Sequence, residues 1–114
     1  MNSSEIAGTM PASLPVKKAK ILIVADEPTL LEPVESNLAR MGHQVRCAGS
    51  GREGLALFQA TRPNLVILSL TSEEGWRMLE SIRQVSDTPV LLLGAKGGLG
   101  DRLRGLSLGA DDFL

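Results

Sequence analysis

Four short, largely apolar runs recur along the chain, at Ile21–Val24, Val45–Ala48, Leu65–Leu68 and Val90–Leu93. Runs of this length without polar alternation are typical of strands that are buried on both faces, as in a parallel sheet covered by helices. Asp112–Leu114 resembles the beginning of a further strand. The pattern therefore predicts a parallel sheet whose fifth strand is incomplete.

Between these runs, apolar residues recur at steps of three and four, which predicts helices with one buried face. We predict that the first helix opens at Pro28, keeps Pro33 within its first turn and ends at Gly42. The apolar face of this helix comprises Leu31, Val34, Leu38 and Met41.

Three further helices are predicted. The second helix is capped by Ser50 and stops before Pro63. The third helix extends from Trp76 to about Gln84, and we expect Trp76 to be a partly buried anchor. A mobile glycine loop at Gly94–Gly100 precedes the short fourth helix. The core-facing residues of the three helices are Leu55, Ala56 and Phe58, then Met78, Leu79 and Ile82, then Leu103, Leu106 and Leu108 before the terminating Gly109.

Strand followed by helix, four times over, gives a parallel sheet with right-handed connections. We expect a doubly wound, flavodoxin-like α/β fold with three layers, α/β/α. Residues 1–16 consist mainly of turn-forming and small polar residues, and we expect a disordered tail there.

Composition excludes several classes of function. The net charge of -1 gives no field that would attract nucleic acid or a membrane surface, and with 3% aromatic residues a stacking platform for single strands is not expected. No apolar run approaches the length of a membrane span, and we expect no signal peptide. The single cysteine, Cys47, cannot form an internal disulfide, which fits a cytoplasmic protein, and we expect it to be buried and inert.

Ligands of open α/β sheets bind beyond the carboxyl ends of the strands, where Asp26, Ser69 and Gly94 are expected to meet. The motifs around these ends are Ile21–Pro28, Arg62–Leu68, Asp87–Val90 and Gly105–Leu114. Together they resemble the CheY-like receiver domain of two-component response regulators, and most closely receivers that precede a winged-helix DNA-binding domain. The resemblance implies a receiver-like domain over residues 17–114 that lacks the end of strand five and the last helix.

The resemblance also implies a reaction, phosphoryl transfer from a sensor histidine kinase to an aspartate at the end of strand three, assisted by a divalent cation. In this chain Ser69 stands at the acceptor position. The acidic pair that holds the cation corresponds to Ala25 and Asp26, followed by Glu27. We therefore expect Mg²⁺ to bind weakly at Asp26 or not at all, because two of three carboxylates are missing. A second interpretation, with equal weight, is that Asp26 and Glu27 only cap the first helix and bind no metal.

The remaining switch positions are also altered. Gly94 occupies the position of the hydroxyl residue on strand four, whereas Phe113 matches the switch aromatic. The family lysine would lie just beyond Leu114. We interpret Ser69 as a small residue filling the space of a lost aspartate and expect a non-enzymatic pseudo-receiver that needs no cofactor.

Three functions stay open. The first is a pseudo-receiver that binds signalling proteins, such as a histidine kinase or another receiver, without being phosphorylated. The second is a working regulator with a substitute acceptor, for which Glu73 and Glu74 are the nearby acids. The third is the N-terminal regulatory part of a DNA-binding response regulator. We expect no direct binding of nucleic acid or membrane by this segment, and we expect association into a homodimer through the sheet face that a last helix would cover.

Overall fold

The computed structural model describes residues 18–27, 31–69, 73–93 and 98–113. In these residues five strands alternate with four helices. The strands are β1 (Lys20–Ala25), β2 (Gln44–Ala48), β3 (Leu65–Ser69), β4 (Val90–Leu92) and β5 (Asp112–Phe113). The helices are α1 (Glu32–Arg40), α2 (Gly51–Thr61), α3 (Glu73–Val85) and α4 (Gly98–Ser107). The predicted tail at residues 1–16 lies outside the described residues.

All five strands are parallel, and they pair in the order β2-β1-β3-β4-β5. β3 therefore lies at the centre of the sheet, and β2 and β5 form its edges. β5 is two residues long and pairs with β4 through Leu91 opposite Asp112 and Leu92 opposite Phe113. The order confirms the flavodoxin-like, doubly wound fold class.

Each face of the sheet supports its own core, which explains why the strands carry uninterrupted apolar runs. On one face, side chains of β1 and β3 pack against Phe58 of α2 and against Leu79 and Ile82 of α3. On the other face, Ile23 and Ile67 pack with Leu31, and α1 adds the partly buried Val34 and Leu38. The layers α/β/α follow from these two cores.

The first helix ends before Gly42 as predicted, but one residue of its predicted apolar face is exposed. It begins at Glu32 and holds Pro33 in its first turn, as expected, whereas Pro28 lies outside the described residues. Met41 was predicted to be buried, but it is 61% exposed because α1 ends one residue earlier, at Arg40. Gly42 follows with a φ of 95°, a left-handed conformation that suits the glycine predicted to end the helix.

Ser50 caps α2 as predicted, since its hydroxyl accepts a hydrogen bond from the Glu53 amide at 3.1 Å. Phe58 is buried as expected, but Ala56 is exposed. Gly54 is buried instead, because a Cβ there would lie 2.8 Å from a methyl group of Val24. α2 therefore approaches the sheet more closely than its leucines alone would allow.

The fourth helix corrects two predictions. It begins at Gly98, so the second half of the predicted glycine loop is helical, while residues 94–97 lie outside the described ones. Leu103 and Leu106 are 56% and 45% exposed, because α4 turns the buried Gly105 toward the molecule instead.

Cys47 lies on the edge strand β2 and is exposed, which corrects the prediction that it is buried. Partial burial of the sulfur and the neighbouring Glu35 carboxylate nevertheless raise the pKa of the thiol to about 11. The thiol is therefore neutral at physiological pH, and its inertness stays a prediction. None of the described helices is long and apolar enough to cross a membrane.

Candidate functional site

The carboxyl ends of β1 and β3 lie side by side at the centre of the sheet. Ala25 pairs with Ser69 in register, and the Asp26 amide donates a long hydrogen bond of 3.4 Å to the Ser69 carbonyl oxygen. The two strand ends that the sequence predicted to meet are therefore adjacent. A side chain at position 25 and one at position 69 project from the same face of the sheet.

Two acids lie next to Ala25 in the sequence. Asp26 and Glu27 directly follow β1 and are both exposed, while Ala25 is only 4% exposed and offers no ligand atom. No cluster of three or more His, Cys, Asp or Glu side chains that could hold a metal occurs among the described residues. A hard cation prefers several oxygen ligands, so this donor set does not fit a tight Mg²⁺ site.

Ser69 ends β3 and is partly buried. A serine hydroxyl is a weak nucleophile unless a neighbouring base removes its proton. The chain's single histidine, His43, lies at the opposite edge of the sheet, where its Nδ1 accepts a hydrogen bond from the Ala19 amide at 3.0 Å. The histidine therefore cannot serve Ser69 as a base.

Glu73, one of the two substitute acceptors considered from the sequence, is held by an ion pair. Arg104 of α4 donates two hydrogen bonds to its carboxylate, at 2.8 and 2.9 Å. The guanidinium also lies 4.5 Å from the ring centroid of Trp76. The Arg104 hydrogen bonds hold the pKa of the Glu73 carboxyl below its usual value. This contact ties the beginning of α3 to α4.

Glu74, the other substitute acceptor, lies against the beginning of α2. A Cβ on Gly51 would lie 2.7 Å from its Cγ, so only glycine at position 51 permits this approach. The glutamate is thus part of the packing between α2 and α3.

Two further positions inferred from the resemblance are only partly visible. Gly94 lies outside the described residues. Phe113 is placed by its backbone on β5, opposite Leu92 of β4.

Sequence analysis missed two arginines. Arg104 is 31 positions from Glu73, and Arg83 is 28 positions from its partner Asp111. Neither belongs to a helical or strand repeat that would have singled it out. Only the packing of α3 against α4 and β5 brings these residues to their acids.

The comparisons with known proteins agree with this architecture. The family model described as "Response regulator receiver domain" matches residues 21–114. Among solved structures, the chemotaxis protein CheY4 of Vibrio cholerae superposes with a TM-score of 0.78 at 28% identity, over 86% of each chain. A response regulator receiver domain protein from Clostridium thermocellum gives a TM-score of 0.76 at 29% identity, over 84% of this chain and 80% of that one.

Longer relatives share the same segment. "Probable transcriptional regulator ycf27" of Cyanophora paradoxa is 39% identical over 87% of this chain and 42% of its own length. "Transcriptional activator protein PfeR" of Pseudomonas aeruginosa is 36% identical over 87% of this chain and 33% of its own length. The chain thus spans less than half the length of these relatives.

Proposed function

This chain belongs to the response regulator receiver domain family, and on that premise we propose that it is a pseudo-receiver. It acts in two-component signalling by binding other proteins and is not phosphorylated on an aspartate. The observation that carries the proposal is the register of β1 and β3, which sets Ala25 beside Ser69. Both positions correspond to carboxylates in the family pattern, and neither side chain can be ionised.

Chemistry supports the loss of the reaction. A phosphoryl group in transfer needs a cation that neutralises its developing charge, and that cation needs carboxylate ligands. Asp26 alone supplies one of the three that the family uses, with Glu27 exposed beside it. Glu73 is a poor substitute acceptor, because its carboxylate would first have to break its ion pair with Arg104.

The test is exposure of the chain to acetyl phosphate and Mg²⁺, followed by intact-mass measurement, with beryllofluoride titration by NMR as a second readout. We expect no phosphoryl adduct and no shift at Asp26. An adduct on the unaltered chain would overturn the proposal. Peptide mapping would then say whether Ser69, Glu73 or Glu74 had accepted the group.

A reconstructed variant is the control for these experiments. Ala25→Asp combined with Ser69→Asp restores the two missing carboxylates next to Asp26. We expect this variant to gain Mg²⁺ binding in calorimetry, at millimolar concentration, whereas the unaltered chain shows none. Equal Mg²⁺ binding by both chains would mean that the missing carboxylates are not what limits the site.

A second candidate is favoured by the relatives. The transcriptional regulator of Cyanophora paradoxa and the transcriptional activator of Pseudomonas aeruginosa are more than twice as long as the matched segment. The segment would then act as the regulatory part of a DNA-binding response regulator. The mass of the protein in its native cell, measured by immunoblot with an antibody against this segment, tests this candidate, which requires a product much larger than 12.1 kDa.

Partners and location follow from the proposed function. A histidine kinase, another receiver or a second copy of this chain are the expected partners, and the expected compartment is the cytoplasm. Chemical crosslinking in cells, followed by mass spectrometry, identifies which of these binds. Sedimentation of the purified chain as a monomer at high concentration would exclude the second copy.

A further inference from the structure

Charge is sorted between the two edges of the sheet in the first half of the domain. Between residues 18 and 62, all five acidic side chains lie at the carboxyl edge, following β1 or in the first turns of α1 and α2. Five of the six basic side chains of this segment lie instead at or beside the amino edge. We call these five exposed residues the basic corner: Lys18, Lys20, Arg40, Arg46 and Arg62.

Two residues of the basic corner line a concavity. Lys20 of β1 and Arg46 of β2 line an open cavity of about 220 Å³ together with Gln44 and Thr61, where the end of α2 leaves the sheet. The backbone beneath it is fixed. The Lys20 amide donates to the Asn64 Oδ1 at 2.8 Å, and the Asn64 amide donates to the Lys20 carbonyl at 2.7 Å.

None of the five cations forms an ion pair within the described part of the chain, where Arg83 and Arg104 are the paired cations. Complementing the negative end of a helix dipole accounts for Arg40 in the last turn of α1 and for Arg62 at the end of α2. It does not account for Lys20 or Arg46, which lie on strands. The charge of the corner is therefore not neutralised from within the domain.

We propose that the basic corner is a docking surface for an acidic segment of a partner protein. The choice of a protein rests on the proposed function as an interaction domain. The extent of the surface supports the choice, because the corner is limited to β1, β2 and the ends of α1 and α2. A nucleic acid duplex running further along this edge would meet the exposed Asp87, Asp111 and Asp112 beyond it.

A small free anion fits less well than an acidic segment. The cavity is open and its cations are exposed, so it offers no buried positive charge that would bind a single phosphate group. Several carboxylates on one segment can pair with several of the five cations at once, which raises the association rate and selects the orientation of the partner.

The experiment measures fluorescence anisotropy of a labelled oligoglutamate peptide titrated with the 114-residue chain. We expect saturable binding that weakens several-fold between about 50 and 200 mM salt. The double variant Arg46→Glu/Arg62→Glu should bind about tenfold more weakly or not at all. The matched variant Arg52→Glu/Arg102→Glu changes two exposed arginines outside the corner, alters the net charge equally, and should bind within about twofold of the unaltered chain.

Three outcomes would overturn the proposal: no saturable binding by the unaltered chain, equal losses in the two double variants, or tighter binding of a labelled DNA duplex than of the peptide at the same salt. Circular dichroism of each variant confirms that it is folded. Failure here is distinguishable from failure of the pseudo-receiver proposal, because the acetyl phosphate measurement on the same preparations does not depend on the corner.

Discussion

The two edges of the sheet differ in how their polar groups are used. At the amino edge near β4, Arg83 is bonded on every side. Its Nε donates to the Gly109 carbonyl at 2.7 Å, its Nη1 to the carbonyls of Thr88 and Ser86 at 2.7 and 3.3 Å, and its Nη2 to the Asp111 carboxylate at 2.7 Å. The carboxylate oxygen of Asp111 also accepts from the Val90 amide at 2.9 Å.

At the carboxyl edge, the central strands end in Ala25 and Ser69, linked by one long hydrogen bond from Asp26. Ala25 packs there in the same core as Leu31, and the ion pair of Glu73 with Arg104 joins α3 to α4. The Arg83 network and the residues of the family's reaction thus occupy opposite ends of the sheet. Changes at the two edges should therefore have unequal effects on stability.

The largest effect is expected from Arg83→Leu. It removes the donor of three carbonyl oxygens and leaves the Asp111 carboxylate with the Val90 amide but no guanidinium. We expect a loss of about 2 to 4 kcal/mol in the free energy of unfolding. Urea titration measures the loss. Arg77→Leu, an exposed change on the same helix, should alter stability by less than about 0.5 kcal/mol. Equal losses in the two variants would contradict a structural role for the Arg83 network.

Gly109→Ala should have the next largest effect. Gly109 has a φ of 105°, and a Cβ there would lie 2.9 Å from the Cγ of Arg83. Backbone strain and crowding together should lower the unfolding free energy by about 1 to 2 kcal/mol. Gly100→Ala is the matched control, because nothing lies within 4 Å of its added methyl group. That change should stabilise α4 by up to about 1 kcal/mol, and a loss of stability would contradict an exposed, helical position for Gly100.

Ser50→Ala removes a cap at the carboxyl edge and should have a smaller effect. The Glu53 amide loses the hydroxyl that accepts its hydrogen bond, at an expected loss of about 1 kcal/mol. Thermal unfolding followed by circular dichroism detects a change of this size. Ser36→Ala, at an exposed position within α1, should be neutral or slightly stabilising. A loss for Ser36→Ala equal to that for Ser50→Ala would show that the cap contributes nothing specific.

Sequence patterns predicted which segments form strands and helices better than they predicted which side of each helix is buried. Runs such as Ile21–Val24 need burial on both sides wherever they lie, so strands and their parallel arrangement followed from local composition. Leu103 and Leu106 have a helical spacing, yet α4 turns Gly105 inward, because the side of a helix that is buried depends on its neighbours. The burial of Met41 was predicted wrongly for a simpler reason, since Met41 is the first residue after the end of α1.

The candidate site shows the same limit. The meeting of Ala25, Asp26 and Ser69 could be predicted, because carboxyl ends of adjacent parallel strands share an edge. The pairing of Glu73 with Arg104 could not, since it joins the beginning of one helix to the middle of another. The basic corner was likewise hidden by the net charge of -1, which averages over basic and acidic regions of the surface.

The smallest effect on stability is expected from Glu73→Gln, which removes an exposed ion pair at the carboxyl edge. Exposed pairs of this kind contribute little, so the loss should be smaller than that of Ser50→Ala. The contact should still be visible through Trp76, the chain's single tryptophan, over which the Arg104 guanidinium lies. We expect its fluorescence to change in Glu73→Gln and to stay unchanged in Glu32→Gln, an exposed glutamate of α1.

The pH dependence of this last variant follows from the lowered pKa of the Glu73 carboxyl. A carboxylate whose pKa is lowered in the folded state stabilises the fold above its ordinary value of 4.5, and that contribution disappears as the pH falls through the lowered pKa. The difference in unfolding free energy between the unaltered chain and Glu73→Gln should therefore shrink on acidification below that value. High salt at neutral pH should reduce the difference as well, because exposed charges are screened. A difference that stays constant with both pH and salt would show that the ion pair does not connect α3 to α4 in solution.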